Sequence, residues 1–131
     1  VFTDAADLDW IAEQRQGPEL NWCLCPAANL YINNRLPQVD LFRDRGLQMV
    51  FGTDSLASNT DLDILAELKT LHRYFPGLTV ETLLQWATIN GARALGIEAE
   101  AGSFEAGKQP GIVWLQDTTA TNVNGYAQRL L

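Results

Sequence analysis

The sequence is poor in the residues that most often hold metals or carry protons. Of 131 residues, one is histidine, His72, and two are cysteines, Cys23 and Cys25. Positive charge is scarce as well: nine lysines and arginines stand against sixteen acids, a net charge of −7. That balance favours solubility and disfavours nucleic acid or an anionic membrane as the main partner. No apolar run approaches the ~20 residues of a membrane span, and no signal-peptide pattern is present. No methionine opens the chain. Val1-Phe2-Thr3 runs straight into an amphipathic pattern, which reads as a cut inside a larger protein.

The two cysteines are too few and too close for a disulfide framework. On a strand, positions i and i+2 face the same way at roughly 6.5–7 Å, beyond comfortable disulfide spacing. Reduced thiols buried in a core, in a cytoplasmic setting, are the expectation. A C-x-C metal site finds no second cysteine pair and no nearby histidine to support it.

What is present describes one ordinary domain: 47% apolar and 19% charged residues, enough length for a real core. Residues 4–16 read as a helix with Leu8, Ile11 and Ala12 on one stripe, ended by Gly17-Pro18. Residues 21–25 form a short, nearly continuous apolar run stopped by Pro26, as in a strand buried on both faces. Residues 26–37 read as a loop holding Asn29, Asn33 and Asn34, and 39–45 as a short helix closed by Gly46. A second strand spans 47–51. Thr60 and Asp63 fit a capping box for a helix lined by Ile64, Leu65, Leu68 and Leu71. Thr79 caps the next helix, with Val80, Leu83, Leu84 and Ala87 in register, and 90–95 continues helically to Gly96. Residues 112–116 read as a third strand. The polar tail 117–131 offers Val123, Tyr126 and Leu130 as packing points. Alternation of short apolar strands with helices argues an α/β fold with a parallel sheet.

In such sheets ligands meet the C-terminal ends of strands. One stretch there invites a functional reading: Phe51-Gly52-Thr53-Asp54-Ser55-Leu56-Ala57-Ser58. A lone carboxylate, Asp54, follows the strand directly, wrapped in small hydroxyl residues. As a bare motif it is equally a turn residue.

Four segments in order, CPAANLYI, FGTDSLASN, ATINGARALGI and AGSFEAGK followed by IVWL, resemble the C-terminal part of the amidohydrolase superfamily. The nearest branch is that of cytosine deaminase, adenosylhomocysteine deaminase and the chlorohydrolases. The resemblance implies the last two strands and helices of a metal-dependent (β/α)8 TIM barrel over 1–100. Residues 101–131 would belong to a small composite β-sandwich. Strand 21–25 would be barrel strand seven and 47–51 strand eight. The family's strand-eight aspartate, both metal ligand and general base, maps onto Asp54. Asn29 would lie near the metal pocket at the end of strand seven, and Ser55 and Ser58 would shape the substrate pocket or hold Asp54. The implied cofactor is Zn2+ or Fe2+ in the full-length enzyme, activating water to attack a C–N or C–Cl bond of a nucleobase-like small-molecule substrate. The implied assembly is a homo-oligomer.

This chain departs from the family pattern in places. The H-x-H pair, the strand-five histidine, the catalytic glutamate and the strand-six histidine have no counterpart and would lie upstream of Val1. Ala28 stands where a serine is usual, and Pro110-Gly111 where Ala-Asp is usual. The fragment alone is therefore expected to be inactive. The competing expectation is a non-catalytic structural fragment or degenerate homologue. His72 reads as an exposed structural residue at a helix end, Asp61, Asp63 and Glu67 as a solvated helix start, and EAGKQPG as no phosphate loop. With six strands missing, Trp22, Leu24, Val50 and Phe51 would lack their barrel neighbours, and the chain would self-associate.

Overall fold

The computed structural model describes residues 3–17 and 20–131. Helix α1 (Ala5–Gln14) opens on a reciprocal box in which Asp7 N–H donates to Asp4 Oδ1 at 3.0 Å and Asp4 N–H to Asp7 Oδ2 at 2.9 Å. It ends at Gln14, short of the predicted Gly17-Pro18 stop, of which Pro18 lies outside the described residues. Of its stripe only Leu8 is buried.

Strands β1 (Asn21–Leu24) and β2 (Gln48–Phe51) pair in parallel, Asn21 opposite Gln48 through Leu24 opposite Phe51. The helices pack on one face. There Trp22 meets Phe42 edge-on at 5.2 Å between ring centroids, and Phe51 meets Trp86 at 6.2 Å. Met49 and Leu24 are buried in the same core. On the other face Asn21 and Cys23 are exposed. The expectation of a strand buried on both faces is corrected: among the described residues, helices cover one side. Within this chain Leu24 and Val50 are buried, and Trp22 and Phe51 half-buried.

The predicted loop 26–37 is mostly helix. Helix α2 (Pro26–Asn33) begins on Pro26, whose missing N–H costs nothing in a first turn and whose fixed φ suits the helix. It closes on Asn34 in the left-handed region at φ 48°, whose N–H donates to Leu30 O at 2.8 Å. Helix α3 (Val39–Asp44) buries Val39 and Phe42.

Helix α4 (Ile64–Tyr74) is capped by Asp63, which accepts from Leu65 N–H at 2.8 Å. Thr60 turns to Asp61 instead, so the predicted Thr60 box does not form. Thr79 caps α5 (Val80–Ala87), accepting from Thr82 N–H. Helix α6 (Ile89–Leu95) follows after a break at Thr88. From α6 the buried Asn90 donates to Met49 O at 2.9 Å, tying helix to strand.

The tail forms two small antiparallel pairs, β3 (Val113–Leu115) with β6 (Ala127–Arg129) and β4 (Thr118–Thr119) with β5 (Asn122–Val123). Val123 joins the core, whereas Tyr126 and Leu130 are exposed. His72 is half-buried rather than exposed, with Nε2 at 3.1 Å from Thr121 O, linking α4 to the tail. No helix among the described residues is long and apolar enough to cross a membrane.

Candidate functional site

Parallel pairing carries both strand ends to one side of the sheet, and two loops meet there. The turn after β1 enters α2 at once. The segment after β2 runs from Gly52 to Asp63 before α4 begins. Between them lies a cleft of about 360 Å3, lined among others by Cys23, Cys25, Asn29 and Asp54. The two strand-end candidates, Asn29 and Asp54, are thus brought together. Ser55 and Ser58 are not on the cleft wall.

Asp54 is exposed and occupies left-handed backbone at φ 57°, a region that aspartate enters more readily than most residues. Its Oδ1 accepts from Ser55 N–H at 2.8 Å. Ser58 is buried, with its N–H and Oγ both directed to Ser55 O, at 3.0 and 3.3 Å. Its hydroxyl closes the turn rather than facing a ligand. Ser55 Oγ accepts from Ala57 N–H at 3.3 Å, another bond internal to the loop.

Cys23 and Cys25 point to the same side over Gly52. A Cβ on Gly52 would come within 2.7 Å of Cys23 Sγ and 3.2 Å of Cys25 Sγ, so only glycine fits beneath the thiols. Cys23 is exposed and Cys25 half-buried, contrary to the expectation of buried thiols, because the helices cover the opposite face. The Cys25 thiol donates to Cys23 Sγ, which brings the Cys23 pKa down to about 7, with burial opposing. The same bond, and burial, push Cys25 up, while the Asp54 backbone N–H donating to Cys25 Sγ acts the other way.

Glu67, expected on a solvated face, is almost fully buried, 1% exposed. Its Oε2 accepts from Ala27 N–H at 2.8 Å and its Oε1 from Asn59 Nδ2 at 2.5 Å. Burial raises its pKa, and the two donated bonds offset this only in part. The buried Asn59 also donates from Nδ2 to Thr53 O at 2.7 Å. Sequence spacing hides both residues, since an acid in the first turn of a helix ordinarily faces water.

Among the described residues no three His, Cys, Asp or Glu side chains converge in a group that could hold a metal. Asp54 presents one carboxylate at the strand end. That donor suits a hard or borderline divalent cation as one ligand among several, not as a complete site.

A parallel pair of strands with a carboxylate at one strand end and helices on one face is a segment of a parallel β/α fold. The chain belongs to the amidohydrolase family, whose model matches residues 1–128. It is 36% identical over 96 residues to the 5-methylthioadenosine/S-adenosylhomocysteine deaminase of Moorella thermoacetica, covering 68% of this chain and 22% of that one. It is 31% identical over 97 residues to the S-triazine hydrolase of Gordonia rubripertincta, covering 69% of this chain and 20% of that one. In structure it is similar to an adenosine deaminase from Xanthomonas campestris with bound zinc, at TM-score 0.71 and 30% identity, over 85% of this chain and 26% of that one. The chain therefore spans about a quarter or less of the length of these relatives.

Proposed function

We propose that this chain is the C-terminal part of a metal-dependent hydrolytic deaminase acting on a purine-nucleoside-like C–N bond. Residues 1–100 would complete the barrel and 101–131 would contribute to the small β-sandwich. The observation that carries the reading is Asp54. It is a lone carboxylate at the end of parallel strand β2, sharing one cleft with Asn29, in a family whose named relatives include adenosine-type deaminases.

When bound, a divalent cation supplies the Lewis acidity that makes water nucleophilic near neutral pH. Asp54 would be one of its ligands, the others coming from outside this chain. The proton work falls to the Asp54 carboxylate, which takes a proton from the attacking water and delivers it to the departing amine. The Ser55 N–H holds Oδ1, so the carboxylate keeps one orientation through the transfer. Asn29, lining the same cleft, would hydrogen-bond the substrate ring or its substituents. Ser58 acts on the site only through the turn that it closes. The similarity to an S-triazine hydrolase favours a second ring class, an s-triazine, handled by the same carboxylate.

The test is Asp54→Asn in the full-length protein, with metal content measured and turnover followed on adenosine-like nucleosides, guanine and an aminotriazine. General acid–base groups contribute typically ~10²–10⁴-fold, so kcat should fall by at least that factor. An Asp54→Asn enzyme with full metal and near-normal kcat would reduce Asp54 to a turn residue.

A further inference from the structure

The cleft depends on a side chain that never reaches it. We propose that Glu67 is a positioning residue for Asp54, holding the Thr53–Asp54 peptide in place through Asn59. The proposal rests on the reading that Asp54 is the working carboxylate.

Three observations converge. First, α2 has no side-chain cap of its own: its N-cap is Cys25, and Ala27 N–H, two residues before Asn29, is satisfied from α4 by Glu67 Oε2 at 2.8 Å. One carboxylate thus terminates the helix that carries Asn29. Second, the other oxygen of Glu67 takes Asn59 Nδ2, and that same nitrogen donates to Thr53 O at 2.7 Å. Third, Thr53 O belongs to the peptide unit whose N–H is that of Asp54, so the bond from Asn59 acts on the peptide that leads into the carboxylate. That peptide is therefore held through its carbonyl by the Glu67–Asn59 pair. Asp54 sits in left-handed backbone, where a freed peptide would relax and swing the carboxylate.

A buried acid satisfied on both oxygens also stabilises a fold, so the test must separate position from stability. Glutamine at 67 offers one acceptor and one donor. If its oxygen keeps Ala27 N–H, its amide meets the Asn59 amide donor to donor. Asn59 must then flip and present Oδ1 to Thr53 O. Glu67→Gln thus keeps the α2 cap and loses the hold on Thr53. Leu83→Ala is the stability control: it opens a cavity under α5 and leaves the Glu67–Asn59–Thr53 chain intact.

The experiment uses the full-length protein in three forms, wild type, E67Q and L83A. The readouts are amide hydrogen exchange over 53–59, melting temperature, zinc affinity by chelator competition, and kcat and KM. Expected for E67Q are faster exchange at Asp54 and Ser55 with α5 and α6 unchanged, zinc affinity lower by ~10–100-fold, as for residues that orient metal ligands, and a fall in kcat larger than the change in KM. L83A should lower the melting temperature and keep both the protection at Asp54 and the zinc affinity. Wild-type exchange at Asp54 in E67Q, or an L83A variant that loses protection at Asp54 and zinc affinity in step with its melting temperature, would overturn the proposal. A wild-type protein without deaminase turnover, whose Asp54 exchange still responds to E67Q, would sink the functional reading and leave the positioning role standing.

Discussion

At the scale of single residues, the thiol pair carries a pH-dependent prediction. Cys23 is exposed, and the S–H of Cys25 stabilises its thiolate, setting its pKa at about 7 against an ordinary 9.0. The thiolate is the reactive form, so alkylation follows its ionised fraction. On this chain, iodoacetamide should label Cys23 with a rate that rises through a midpoint near 7, while Cys25, pushed up by the same bond, stays slow. Cys25→Ala removes the donor. The Cys23 midpoint should then move upward, toward 9.0, and labelling at neutral pH should slow. A midpoint unchanged in Cys25→Ala, read by mass spectrometry of the labelled peptides, would show that the bond does not control the thiol. The two sulfurs also explain Gly52 in the G-T-D stretch: it is glycine because two side chains lie where its Cβ would be. Sequence can show that a glycine stands there, but not that sulfur stands over it.

At the scale of elements, the caps differ in how replaceable they are. Asp63 caps α4 at an exposed position, so water can take over part of its role, and Asp63→Ala should cost ~0.5–2 kcal/mol. Asn90 is buried, and its amide is the partner of Met49 O in the middle of β2. Asn90→Ala leaves a buried carbonyl unpaired, at ~1–3 kcal/mol. Urea unfolding of the full-length protein should therefore rank Asn90→Ala as the more destabilising, and the reverse order would mean that water reaches Met49 O. This contrast also marks what a sequence can reveal. Thr79 caps α5 as expected, whereas α4 is capped by Asp63 and not through the expected Thr60 box, yet both helices are legible because their apolar spacing is local. Helix α2 is not, because Pro26 and Asn33-Asn34 carry the same composition as a loop and the carboxylate that satisfies its first turn stands 40 residues away. The exposed face of β1 escapes a sequence reading for a related reason. A run of Trp22-Cys23-Leu24-Cys25 looks doubly buried, yet among the described residues Trp22 and Leu24 pack into the helix-covered core while Cys23 is exposed. Of the site, Asp54 can be singled out by its place after a strand and Asn29 by the family resemblance, whereas Glu67 and Asn59 cannot, because burial is a property of the assembled loops.

At the scale of the whole molecule, the parallel pair β1–β2 has no further strand beside it among the described residues, so both outer edges keep unpaired backbone groups. Tyr31, Ile32, Leu56 and Leu62 lie exposed as well. Open edges together with exposed apolar side chains favour pairing between copies. The chain produced on its own should therefore show a weight-average mass that rises with concentration in sedimentation equilibrium. The metal chemistry should respond to the same boundary. Catalytic zinc sites draw on three protein ligands or more, and among the described residues Asp54 stands alone at its strand end. The isolated chain should lose zinc on dialysis, and Asp54→Asn should leave that weak binding almost unaltered. On the proposed reading, the same substitution in the full-length protein should lower zinc affinity, because there the carboxylate would complete a set whose other members hold the ion. The pair of measurements locates the site: equal losses in both proteins would place the principal ligands within these 131 residues, and a loss confined to the full-length protein assigns Asp54 to a centre shared with the rest of the barrel.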